Sequence, residues 1–80
     1  MNLISLGKRI KYLRVNKAKL SQEDFSKKIG LDRSYLSRIE SGNQNVTITI
    51  LFKIICGLDV DLKDFFDFEN YFVKWYIWKN

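Results

Sequence analysis

The sequence predicts an all-α domain of five short helices, and three observations point there. Proline is absent and glycine occurs only four times in eighty residues, so little in the chain interrupts helical backbone. Apolar residues recur every three or four positions through most of its length, the spacing that lines one face of a helix. Residues that cap helices stand where the periodic stretches begin, and glycines stand where two of them end.

Helix 1 follows from Leu3, Leu6, Ile10 and Leu13, with Lys8, Arg9 and Lys11 off the apolar stripe and an end expected near 17–19. Ser21 and Asp24 form a variant of the capping box, so helix 2 starts there, buries Phe25 and Ile29, and stops at Gly30. Only Leu31 and Asp32 separate Gly30 from the next periodic stretch. Asp32 is suited to accept from the free amides of that helix's first turn, and two helices joined so tightly must cross steeply.

Helix 3 spans about 33–41, with Gly42 or Asn43 able to end it. Asn45 or Thr47 caps helix 4, whose Ile48, Leu51, Ile54, Ile55 and Leu58 form an apolar face that Ile50, Phe52 and Cys56 widen. Cys56, in that run, is expected to be a buried small hydrophobe. Asp59 or Asp61 opens helix 5, where Leu62, Phe65 and Phe66 share a side. The tail, YFVKWYIWKN, alternates like a strand yet also fits a helix, and a short sixth helix is the favoured reading. Residues 1–67 are expected to form the domain, with a helix-turn-helix at about 21–41, and 68–80 an aromatic extension.

Residues 1–44 carry ten Lys and Arg against four Asp and Glu, while 45–80 carry four against five. A polyanion on one side of the molecule would explain this division, and so would a solvated basic face. A lone cysteine and no apolar stretch of membrane-spanning length suit a cytoplasmic protein with no membrane partner. An enzyme is disfavoured: histidine is absent, and neither a glycine-rich phosphate loop nor paired cysteines occur. Asp59, Asp61 and Asp64 do not make a calcium loop, because Lys63 occupies a ligand position. No metal, cofactor or small-molecule ligand is expected.

The stretch LDRSYLSRIESGN carries the chemistry. At about 100° per residue from Leu36, Ile39 and Glu40 turn inward while Ser34, Ser37, Arg38 and Ser41 turn outward, flanked by Arg33 and Tyr35. Short hydroxyls let a helix lie close to a surface, and arginines can donate paired bonds to guanine O6 and N7 or reach phosphates. A B-DNA major groove, roughly 12 Å wide, accepts such a helix. Ser34, Ser37 and Arg38, with Arg33 on the flank, are therefore the candidate base readers, and Lys27 and Lys28 are candidates for the phosphate backbone. Glu40 leans towards the core and needs a partner, for which Arg14, late in helix 1, is a candidate.

With LGKRIKYLR, LSQEDFSKKIGLDRSYLSRIESG and VTITILFKIICGLDVDLKDFF in view, the chain resembles the lambda-repressor-like, XRE-type helix-turn-helix family from about Leu6 to Phe66. The resemblance implies that helix 3 recognises double-stranded DNA, that Gln22 touches its backbone, and that Arg14 pairs with Glu40. Within the family, LDRSYLSRIESGNQNVTI and GLDVDLKDFF are similar to controller proteins of bacterial restriction-modification systems. That similarity implies a small dimeric transcription regulator on a palindromic operator, with RNA polymerase as a further partner. It also implies that Arg33, Ser34 and Tyr35 meet the bases and that Asn43 and Asn45 grip phosphate.

Three positions depart from the pattern. The stretch from Arg14 to Gln22 is one residue longer than usual and has Ala18-Lys19 where glycine is common, which puts the Arg14–Glu40 contact in question. Gln44 replaces a frequent basic residue, and Ser26 replaces an alanine. Leu62, Phe65, Phe66 and Trp75 are candidates for the two-fold interface, the other reading being that the first three complete the monomer core. A phage or plasmid repressor, or an antitoxin whose tail binds a protein, remains the alternative to a controller protein.

Overall fold

The computed structural model describes residues 2–67; the proposed sixth helix and Trp75 lie outside them. Within these residues every regular element is helical. The order is α1 (Leu3–Leu13), a π-helical turn (Arg14–Ala18), α2 (Gln22–Ile29), α3 (Arg33–Glu40), α4 (Ile48–Leu58) and α5 (Leu62–Phe66).

Caps set most of these boundaries. The Asn2 side chain accepts from Ser5 N at 2.8 Å and Ser5 Oγ answers the Asn2 backbone, a reciprocal box that starts α1. Ser21 Oγ accepts from Asp24 N at 3.0 Å to start α2. Gly30 ends it at φ 67°, where Leu31 N donates to Ser26 O and Gly30 N to Lys27 O. This double closure needs a left-handed residue, which glycine supplies without a Cβ clash. Of the two expected caps for α4, Thr47 serves, accepting from Ile50 N. Of the two for α5, Asp61 serves, while Asp59 adopts φ 62° and closes α4 instead.

Eleven buried residues form one core: Leu6, Ile10 and Leu13 from α1, Phe25 and Ile29 from α2, and Leu36 and Ile39 from α3. Ile54, Ile55 and Leu58 from α4 and Phe65 from α5 complete it. Full burial of a side chain of this size is worth roughly 1.5–3 kcal/mol, so these residues are the main adhesive of a small domain. The exposed positions correct three expectations. Ile48, in the first turn of α4, is 65% exposed, whereas Ile54, Ile55 and Leu58 further along the helix are buried. Cys56 is exposed too, since it follows the inward-facing Ile55 by one residue and so turns off the same stripe. Leu62 is 48% exposed while Phe65, three residues on, is fully buried, so the two do not share one buried side.

α1 and α3 meet at backbone distance. A Cβ placed on Gly7 would lie 2.4 Å from the carbonyl oxygen of Ile39 and 2.6 Å from that of Glu40, so only glycine permits the approach. Glycine costs a helix interior about 0.5–1 kcal/mol relative to alanine, and here the close crossing explains its presence.

Arg9, off the apolar stripe of α1 as expected, donates its guanidinium to the backbone oxygens of Phe65 at 2.9 Å and Asp64 at 2.7 Å. A cation on the last carbonyls of a helix is favourable, and this one fastens α5 to α1.

Candidate nucleic-acid interface

α3 is held from beneath. Leu36, Ile39 and Glu40 are buried, as the helical spacing requires, and Ser34, Ser37, Arg38 and Ser41 face outward with Arg33. Tyr35 is half-buried and packs against the core edge.

Glu40 is the polar anchor of this inner face. Its carboxylate takes two parallel bonds from Arg14, Nε to Oε2 at 2.7 Å and Nη2 to Oε1 at 3.0 Å. Gln22 Nε2 adds a third at 2.9 Å, and Arg14 Nη1 donates to Leu20 O at 2.8 Å. Both charges are almost fully enclosed. Such a pair is tolerable inside a protein only when its donors and acceptors are satisfied, and no buried side-chain nitrogen or oxygen among the described residues lacks a partner. The extra residue before α2 does not displace the pair. It is absorbed by the wide π-helical turn, where Arg14 O accepts from both Lys19 N and Leu20 N, and Lys19 turns at φ 57°. Ser26, the other departure near this crossing, is buried with its hydroxyl donating to Glu23 O.

Above this anchor lies an open cleft of about 660 Å³ lined by Gln22, Asp32, Arg33, Ser34, Ser37 and Arg38. It gathers four of the five candidate base readers and one backbone candidate from α2. Asp32 is the lining residue that the sequence reading assigned only to helix capping. No first-turn amide makes a well-aligned capping bond to it; instead the Ser34 hydroxyl donates to its carboxylate. That hydrogen bond holds the Asp32 carboxyl below its usual 3.8 against a smaller opposing desolvation, and the nearby Tyr35 and Ser34 amides and Arg38 act in the same direction.

The rim is also pre-arranged. Arg38 Nε donates to Gln44 Oε1 at 3.1 Å, and its guanidinium stands 5.7 Å from the centre of the Tyr35 ring. Gln44 Nε2 donates to Asn45 O, and Asn43 Nδ2 to Ser41 Oγ, so Ser41 ties Asn43 and Arg38 ties Gln44 to the end of α3. The two α2 lysines differ. Lys27 is exposed, with Glu23 3.9 Å away, a surface pairing worth little. Lys28 is turned the other way, its ammonium donating to Gly57 O at the end of α4 at 2.8 Å. Among the interface candidates, Phe65 has no exposed surface and is a core residue. Phe66 is half-buried against its ring edge, with the two ring centres 5.0 Å apart.

An inner helix joined by a three-residue turn to an outer one, whose free face carries guanidiniums and small hydroxyls, defines a helix-turn-helix protein. The helix-turn-helix family model matches residues 10–65, and the chain belongs to that family. Its relatives narrow the group. It is 46% identical over 63 residues to "Control protein C.MunI" of Mycoplasma sp, covering 79% of this chain and 85% of that one. To "Control protein C.BamHI" of Bacillus amyloliquefaciens it is 37% identical over 64 residues, covering 80% and 79%. Among solved structures, the restriction-modification controller protein C.AhdI from Aeromonas hydrophila superposes with a TM-score of 0.72 at 38% identity, covering 80% of this chain and 96% of that one. The C.Esp1396I controller tetramer in complex with its natural 35 base-pair operator gives 0.76 at 39% identity, covering 82% and 86%. The particular group within the family is therefore the restriction-modification controller proteins.

Proposed function

We propose that this chain is a homodimeric, sequence-specific regulator of transcription in a restriction-modification system, with no enzymatic chemistry of its own. Each protomer places α3 in the major groove, so that two copies enter successive grooves about 34 Å apart on a palindromic operator. Arg33, Ser34, Tyr35, Ser37 and Arg38 meet base edges. Gln22, Lys27, Asn43, Gln44 and Asn45 meet the sugar-phosphate backbone. Leu62 and Phe66 on α5 are the described residues that serve the two-fold contact.

The observation that carries this reading is the clustering of Arg33, Ser34, Ser37 and Arg38 on one open face of a helix whose opposite face is fixed by Leu36, Ile39 and Glu40. Such a mounting costs little ordering on contact, which favours direct readout. The controller relatives, one of them solved on its operator, favour this over a phage repressor or an antitoxin. Action in the cytoplasm and contact with RNA polymerase belong to the same proposal.

Selection of bound duplexes from a random-sequence pool tests it. The expected product is a two-fold symmetric site with half-sites about 10 base pairs apart, centre to centre. A pool that emerges unenriched would falsify sequence-specific recognition.

A further inference from the structure

We infer that Asp32 determines specificity through Ser34: by accepting the hydroxyl's hydrogen bond it leaves Ser34 Oγ only lone pairs to offer, which selects a base that presents an amine in the major groove, adenine or cytosine. The inference rests on the groove-binding reading above and names what one position of that site recognises.

A serine hydroxyl has one hydrogen to give and two lone pairs to receive. In a free serine the hydrogen rotates to suit whatever it meets, so the residue reads donors and acceptors alike. Here the hydrogen is committed, because Ser34 Oγ donates to Asp32 Oδ2. The commitment is stable near neutrality, since that same bond keeps the Asp32 carboxyl ionised below its ordinary range. Both side chains are exposed and line the cleft with Arg33 and Arg38, so the arrangement faces any duplex that enters.

In the major groove adenine N6 and cytosine N4 donate, while guanine O6 and N7 and thymine O4 accept. An oxygen with only lone pairs to offer meets the amines favourably and the acceptors badly. The Asp32 charge acts in the same sense, because a carboxylate repels acceptor edges and itself accepts from cytosine N4. Arg33, next in the chain, carries only donors and so suits guanine. The start of α3 therefore holds a donor reader beside an acceptor reader.

Random-pool selection with the full chain, repeated for Asp32→Ala, Asp32→Asn and Ser34→Ala, tests the inference. The wild type is expected to enrich adenine or cytosine at one position of each half-site. Ser34→Ala and Asp32→Ala should both level that position, reducing discrimination there by about threefold to tenfold, the size of one hydrogen bond. Asp32→Asn, whose amide can either accept from Ser34 or donate to it and carries no charge, should leave a preference between that of the wild type and that of Asp32→Ala. Circular dichroism checks that α3 persists, and if Asp32→Ala loses helix, Ser34→Ala and Asp32→Asn carry the test. Unchanged preferences in Ser34→Ala, or a levelled position that holds guanine or thymine, overturn the inference while leaving DNA recognition intact. A wild-type pool without enrichment overturns the recognition itself.

Discussion

Arg14 and Glu40, 26 positions apart in the chain, are joined by two parallel hydrogen bonds of 2.7 and 3.0 Å inside the domain. The pair links the end of α1 to the end of the helix that faces the proposed operator, with Gln22 of α2 as a third member. Removing one partner leaves the other charge buried and alone. Glu40→Ala is expected to cost about 3–5 kcal/mol of unfolding free energy, measured by urea denaturation. The double replacement Arg14→Met with Glu40→Leu should recover most of it, and additive losses would show that the pair is not coupled.

Gly7→Ala should be destabilising although alanine favours helix. The added methyl carbon meets two backbone carbonyls of α3 at 2.4 and 2.6 Å, and backbone cannot turn aside as a side chain can. A loss of about 1–3 kcal/mol is expected from forced overpacking. A thermal midpoint at or above that of the wild type would show that α1 and α3 can separate without penalty.

Lys19→Gly should have the opposite sign. Lys19 holds φ 57° at the end of the π-helical turn, a conformation that costs a residue with a Cβ roughly 1–2 kcal/mol. Glycine relieves this and returns part of the gain as unfolded-chain entropy. The net expectation is a rise of about 0.5–1 kcal/mol, read from the denaturation midpoint.

Arg33→Ala and Lys28→Ala should separate readout from stability. The first is expected to cost roughly 1–3 kcal/mol of binding and to relax preference at one base pair. The second breaks the bond to Gly57 O, lowering stability by about 1 kcal/mol while the salt dependence of DNA binding stays as in the wild type. A salt slope reduced by about one in Lys28→Ala would place that ammonium on phosphate after all.

Asp32 makes a prediction about acid. Its folded-state carboxyl lies below 3.8 because Ser34 donates to it. Its contribution to stability is therefore present above the unfolded value and is lost as pH falls through the folded one. Between pH 5 and 8 it should add no pH dependence. Ser34→Ala should move the Asp32 titration up towards 3.8, followed by carboxyl carbon NMR, and an unmoved titration would mean that the hydroxyl does not set it.

Much of the fold was legible because it depends on neighbours in the chain. Leu36, Ile39 and Glu40 turn inward because helical spacing leaves them no other face. Ser21, Gly30 and Asp61 mark boundaries because a cap acts within one helical turn. What the sequence left open sits where the deciding contact is distant. Nothing local separates Phe65 as core from Leu62 as surface, or turns Lys28 onto Gly57 and Arg9 onto α5. Gly7 did leave a trace, since a glycine within an apolar helical stripe is unfavourable unless something approaches it closely.

By itself the sequence determined the five described helices, most of their limits and the residues offered on the free side of α3, all of which follow from backbone periodicity and short-range hydrogen bonds. Only the tertiary structure decided that an added residue could be taken up by a π-helical turn without separating Arg14 from Glu40, and that the Lys28 ammonium turns to Gly57 O. The physical reason is that a side-chain donor commits to one acceptor among several within reach. That choice depends on how neighbouring elements pack and on what each side chain then meets, which spacing along a chain does not encode.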